Sequence, residues 1–242
     1  MLGWKLFSHS VRMVLVNWPH ALKISVPLIL CNVVAFLLAG QAILSGLDVA
    51  NPGEGAGGLL LALPLILIGS LWTIVAWHRF ILLEEYPKTI PPLRFDRILS
   101  YFGTSFVLGL LIGLLLMIGL GVGALIAGVA PILFAVLSFA VTTMGIWVFY
   151  RLSPVLPASA IEKPTTIREA WESTAALSGA TLIAAALTFV LSFVLAFASE
   201  LLAAAIPATA LASGVASNCL LTLVGASLLT TIYGVAIEKR AL

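Results

Sequence analysis

The chain has 242 residues, of which 62% are hydrophobic and 9% charged. A soluble domain carries about 25% charged residues, so this chain has too few to cover a surface facing water, and the missing polar shell must be lipid. The net charge of +2 gives no basis for nucleic-acid binding.

The opening segment sets Trp4, Phe7, Val11, Val14, Leu15 and Trp18 on one side of a helix, with Lys5, His9 and Arg12 opposite. That pattern predicts an in-plane interfacial helix with aromatic anchors and snorkelling bases. The first apolar run begins near Ile24. It lies too far into the chain for a cleavable signal, whose apolar core is roughly 7–15 residues behind a short basic region, and so reads as an uncleaved first span. Crossing the hydrocarbon takes about 20 mostly apolar residues. Six such runs follow in order: 24–44, 59–77, 105–127, 131–150, 181–202 and 211–236. Only Gly128, Val129 and Ala130 separate the third from the fourth, and the Gly-x-x-Pro punctuation ending at Pro131 supplies the turn. Before the third run, Phe95, Ile98, Leu99 and Phe102 oppose Arg94, Arg97 and Ser100. Before the fifth, Thr166-Ile-Arg-Glu169 reads as a capping box, and Ile167, Ala170, Trp171 and Thr174 share a face.

The charges orient these runs. Lys5, Arg12 and Lys23 precede the first; Arg79, Lys88, Arg94 and Arg97 follow the second; Arg151, Lys163 and Arg168 follow the fourth; Lys239 and Arg240 end the chain. These clusters hold all 12 basic residues, and the alternate loops offer only Asp48, Glu54 and, near a helix end, Glu200. Basic residues stay on the cytoplasmic side, so both termini are expected there. The expected fold is all-α: one membrane domain, residues 1–242, with six transmembrane helices as three hairpins, each preceded by a cytoplasmic amphipathic helix. The repeated order of parts suggests a threefold unit, 1–86, 91–162 and 164–240. Its hairpin exits rhyme, with Ala160-Ile-Glu-Lys163 recurring as Ala236-Ile-Glu-Lys239.

The stretch Arg151-Leu-Ser-Pro-Val-Leu-Pro157-Ala-Ser-Ala-Ile-Glu162, then Thr166-Ile-Arg-Glu-Ala-Trp171 and a new span, resembles a family of multi-span bacterial proteins. These are grouped with the membrane domain of glycerophosphoryl diester phosphodiesterases and with the YciC-like inner-membrane proteins. The likeness covers roughly residues 150–190; the N-terminal half resembles the family only in layout. It implies a bacterial inner-membrane location. It implies no hydrolase activity, because in the phosphodiesterases that chemistry belongs to a separate soluble barrel.

Chemistry is sparse. His9, His20 and His78 show no pairing at helical spacing and are expected at the interface, and neither a nucleophile elbow nor a Walker loop is present. Cys31 and Cys219 are expected about 10 Å apart along the membrane normal, too far for a disulfide, and so free. No ionisable residue falls at the centre of a span; Glu200, with Asn32 and Asn218, is a weak pathway candidate, although interhelical hydrogen bonds account for both asparagines. Gly109-x-x-x-Gly113 and Gly119-x-x-x-Gly123 form a close-packing face, read as internal. The Pro-rich stretches 79–97 and 151–168 are expected to be mixed-charge rigid loops, in which Arg79, Glu84, Arg151, Pro157, Glu162 and Trp171 are the candidate interaction or structural residues.

This composition implies a non-enzymatic membrane protein with no cofactor or metal: a scaffold, assembly factor or accessory subunit. Its partners would be the lipid bilayer and a membrane protein or a second copy. The alternative is a transporter or channel for a lipid-like or small apolar substrate. An intramembrane enzyme would require Arg79, Arg151 and Glu162 to converge on one buried pocket. For the topology, a membrane-impermeant amine label is expected to reach Lys5, Lys88 and Lys163 from the same side; reaching Lys88 but not Lys5 would break the map.

Overall fold

The computed structural model describes residues 2–44, 56–125, 127–128 and 130–242; Asp48 and Glu54 of the first loop lie outside the described residues. The helices are α1 (Leu2–Val16), α2 (Trp18–Leu44), α3 (Ala56–Leu83), α4 (Phe95–Ala124), α5 (Pro131–Leu152), α6 (Val155–Ala160), α7 (Ile167–Ser173), α8 (Ser178–Ala205) and α9 (Ala210–Ala236). Six of them, α2, α3, α4, α5, α8 and α9, are long and apolar enough to cross a membrane, so the chain is a multi-pass, all-α membrane protein. Only helices can satisfy every backbone group inside lipid without a closed barrel, which is why the apolar runs become unbroken helices. Pro27 and Pro64 lie inside α2 and α3 without ending them. Pro131 stands at the first turn of α5, where its missing N–H costs nothing.

The helix α9 is the hub. Of its most apolar stretch 72% is buried, against 11% for α4 and for α5. It packs against α1, α2, α3, α6 and α8, while α2 lies along α3, and α4 along α5. Lipid is as apolar as leucine, so apolar burial alone selects no particular helix partner; hydrogen bonds and close packing must do it. On α9 these bonds come from five side chains, of which Ser217 meets Ser199 of α8 at 2.7 Å. Asn218 accepts from Asn32 Nδ2 of α2 at 3.3 Å. Ser227 accepts from Trp77 Nε1 of α3 at 2.8 Å, Thr230 bonds His78 Nδ1 at 2.8 Å, and Thr231 meets Ser10 of α1 at 3.2 Å. Ser10, Trp77, His78 and Ser227 are wholly buried.

Four sequence expectations are corrected here. Instead of floating on the interface with its aromatic side down, α1 packs between α8 and α9 through Gly3, Leu6, Ser10 and Val14, while Trp4 and Leu15, and Trp18 just beyond, face outward. A β-carbon on Gly3 would meet Ile183 Cβ at 2.6 Å, so the small residue sets that approach. The second amphipathic segment is no separate helix: it forms the first turns of α4, with Ile98 and Tyr101 buried and Phe95, Leu99 and Phe102 exposed. The stretch after Arg151 is not a loop but α6, whose Val155, Leu156, Pro157, Ala158 and Ala160 are buried. Apolar residues between two prolines fold inward here because α4 and α9 cover them. Finally, His78 is buried in the helix core instead of lying at the interface.

The capping box forms: the Thr166 side chain accepts from the Glu169 backbone, and Glu169 returns the bond to the Thr166 N–H at 2.8 Å. Of the expected face, however, Ala170 in α7 and Thr174 just after it are buried, while Ile167 and Trp171 are exposed. Both cysteines are free, and Cys31 packs on Gly69, where an added β-carbon would meet Cys31 Cβ at 2.8 Å.

The bonds to α9 are individually modest. Ser227→Ala and Thr230→Val are each expected to cost about 0.6 kcal/mol and at most roughly 1.7, the range for hydrogen bonds between membrane helices. Thr142→Val, on the exposed side of α5, is expected to cost less. Reversible unfolding in mixed detergent micelles measures all three.

Candidate functional site at the charged end of the bundle

Side-chain contacts bring the second and fourth connections and the C-terminus to one end of the bundle. The centre of this cluster is Arg79, in the last turns of α3 and itself buried. Its Nε donates to Glu85 Oε2 at 2.7 Å, and its Nη1 donates to the Ala160 carbonyl at 3.0 Å and to Glu162 Oε1 at 3.3 Å. A second arginine closes on each carboxylate. Arg94 donates to Glu85 Oε1 through Nε and Nη2, at 3.2 and 3.0 Å, and Arg97 Nε lies 3.7 Å from Glu162 Oε1. Nearby, Lys163 reaches Glu238 at 3.7 Å, and Arg240 holds the same carboxylate at 2.7 Å.

Backbone turns aim these acids. Glu84 leaves α3 with φ 55°, and that left-handed step lets the Glu85 N–H bond the Arg79 carbonyl at 3.3 Å, turning the Glu85 side chain back over the arginine. After α6, Glu162 has φ 64°, and the Lys163 N–H bonds the Ala158 carbonyl at 3.1 Å, a Schellman closure usually built on glycine. Glu84 itself is exposed and contributes the turn. The acid that binds is its neighbour, which the sequence reading passed over as one charge in a loop.

Burial pushes the Glu85 carboxyl up, but the hydrogen bonds and charges of Arg79 and Arg94 outweigh it and hold the group below its ordinary range. Glu169 is held low by its bonds to the Thr166 backbone and hydroxyl. The space beside Arg79, Glu85 and Arg94 is a cavity of about 10 Å3, roughly the room one water needs.

Arg151 does not join this cluster. Its Nε donates to Thr174 Oγ1 at 2.9 Å, another nitrogen donates to the Trp171 carbonyl, and the guanidinium lies 4.1 Å from the Trp171 ring centroid and 5.4 Å from that of Trp147. The two indoles meet edge to face at 5.4 Å, and Trp147 Nε1 donates to Ser178 at 2.9 Å. The arginine thus staples the end of α5 to α7, and Trp147 ties α5 to the start of α8, which gives a physical reason for Arg151 and Trp171 to occur together. Pro157 is buried in α6, beyond either set of charges.

The remaining candidates scatter. Asn32 and Asn218 form the α2–α9 bond described above. Glu200 is exposed on α8. Gly119 and Gly123 pack on Val141 and Phe134 of α5, whereas a β-carbon on Gly109 or Gly113 would meet nothing within 4 Å, so the internal-packing reading fails for the first pair. That pair lines an open cleft of about 650 Å3 between α4–α5 and α8, together with Thr142, Thr188 and Ser192. Among the described residues, no three of His, Cys, Asp and Glu group closely enough to hold a metal ion. No family model, curated protein or solved structure matches the chain.

Removing Arg79 takes one of two arginines from the partly buried Glu85 and leaves the Ala160 carbonyl without its donor, whereas removing Glu162 leaves Arg79 its other bonds. Arg79→Gln is expected to cost about 2 kcal/mol and Glu162→Gln less than about 1. Because the folded-state value of Glu85 is depressed, its contribution is present above the ordinary glutamate range and is lost as pH falls through the depressed value. The melting temperature of the detergent-solubilised protein is expected to fall on acidification from about pH 4.5, and to fall less in Glu85→Gln.

Proposed function

We propose that this chain is a non-enzymatic protein of the bacterial inner membrane, with both termini cytoplasmic, that works by association as a scaffold, assembly factor or accessory subunit. One observation carries the reading: the buried centre of the convergent polar cluster, Arg79 with Glu85, is paired within the cluster. Both carboxylates are held by two arginines, and the adjoining space has room for about one water. Such an arrangement holds helices in place and leaves no space for a reacting molecule beside Arg79, Glu85 and Arg94. The separation of Arg151 from Arg79 and Glu162 argues the same way against an intramembrane enzyme. The likeness of residues 150–190 to the YciC-like and phosphodiesterase membrane-domain proteins supports the membrane assignment and adds no catalytic part. The threefold unit gains support from backbone geometry, since Glu84, Glu162 and Lys239, the non-glycine residues with positive φ among the described residues, close the three units at near-equal intervals.

A second reading, a carrier of lipid-like molecules, is favoured by the cleft between α4–α5 and α8, whose wall mixes small, apolar and hydroxyl side chains.

Native mass measurement of the protein extracted in mild detergent separates the two. The association reading expects a defined assembly with a membrane protein or a second copy. A solitary monomer that moves labelled lipid between vesicles would overturn it in favour of the carrier.

A further inference from the structure

Between α2 and α9 runs a groove of about 690 Å3, open toward lipid and separate from the ion cluster. Its α2 wall is one helix face, Trp18, Leu22, Ser25, Ile29 and Val33, and Ala216 and Cys219 stand on the α9 side. At its upper end, where α1 bends into α2 after Val16, Val14 and Leu15 close it. From Trp18 to Val33 the groove is about 22 Å long at the helical rise. An acyl chain, which reaches about 15 Å into one leaflet, fits within the length of the groove.

The charge at the closed end selects the headgroup. The first 47 residues contain no Asp or Glu. Among the described residues, Lys5, Arg12 and Lys23 enter no ion pair, whereas Arg79, Arg94, Arg97, Lys163, Arg168 and Arg240 all do. Lys88, Arg151 and Lys239 also enter no ion pair, but Arg151 is held by Thr174 and the Trp171 carbonyl and Lys239 by the Ala236 carbonyl, so α1 and the first turns of α2 carry three cations with no acid near them in the chain. Arg12 is exposed about one helical turn before Leu15, and Trp18, 61% exposed at the mouth, is the side chain suited to the headgroup boundary.

We propose that the α2–α9 groove binds one acyl chain of an anionic phospholipid, with Arg12 and Trp18 holding its headgroup. The test uses the full-length protein in nanodiscs containing equal phosphatidylglycerol and phosphatidylcholine, extracted into mild detergent, with bound lipid counted by native mass. Phosphatidylglycerol is expected to be retained preferentially. Arg12→Gln, at an exposed site that leaves the fold intact, is expected to cut that preference about fivefold. Ala216→Phe, which fills the groove, is expected to lose the bound lipid altogether; if it unfolds, Cys219→Phe replaces it. Equal retention of the two lipids, or Arg12→Gln indistinguishable from the parent, overturns the proposal. So does disulfide crosslinking of Ala216→Cys to a second copy, which would make the occupant a protein helix.

Discussion

A helix bundle in lipid gains nothing by hiding leucine from water, so this fold depends on the few directional bonds that make one helix prefer another. Here they converge on α9. Four of its side chains reach α1, α2 and α3 through Ser10, Asn32, Trp77 and His78. Three of them, Ser227, Thr230 and Thr231, lie within one turn of each other, so a single short stretch positions two neighbouring helices. The hydroxyls of Thr230 and Thr231 also return a bond to carbonyls one turn back, which keeps them in the orientation their partners need.

The charged end completes what the ladder begins. Arg79 follows His78 directly on α3, so the helix held against α9 by Trp77 and His78 carries its arginine straight into the carboxylates of the two connections. Through Glu85 and Arg94 it fixes the approach to α4, and through Ala160 and Glu162 it fixes the exit from α6. Arg151 does comparable work one connection later by a different mechanism, lying over the Trp171 ring beside Trp147. The far side of the molecule has fewer constraints: α4 and α5 are largely exposed and meet mainly through Gly119, Gly123 and Gly145, which admit Val141, Phe134 and Leu116. The grooves lie beside these less constrained contacts and along α2, where packing leaves lipid-facing space.

Much of the site was within reach of the sequence, but only as isolated parts. Arg79, Glu162, Arg151 and Trp171 stand out because charge and tryptophan are rare here. Which of them meet could not be read, because the partners sit in different connections and the distance between them depends on helix packing. Glu85 was missed since adjacent glutamates look alike until a positive φ at Glu84 turns one toward the arginine. The serines and threonines of α9 were missed because a hydroxyl in a membrane helix can satisfy itself on its own backbone, so its sequence position carries no sign of a neighbour.

The residues by themselves determined the number of spans, the sorting of cations to alternate connections and the capping box at Thr166. Each follows from local solvation or local hydrogen bonding, which act over one turn or one helix. Tertiary structure alone decided that α9 lies at the centre, that the proline-rich stretch after Arg151 is buried as α6, that α1 is packed between α8 and α9, and that Arg151 and Arg79 serve separate contacts. In lipid every apolar face is equally content outside or inside, so the choice among them belongs to bonds between residues far apart in the chain.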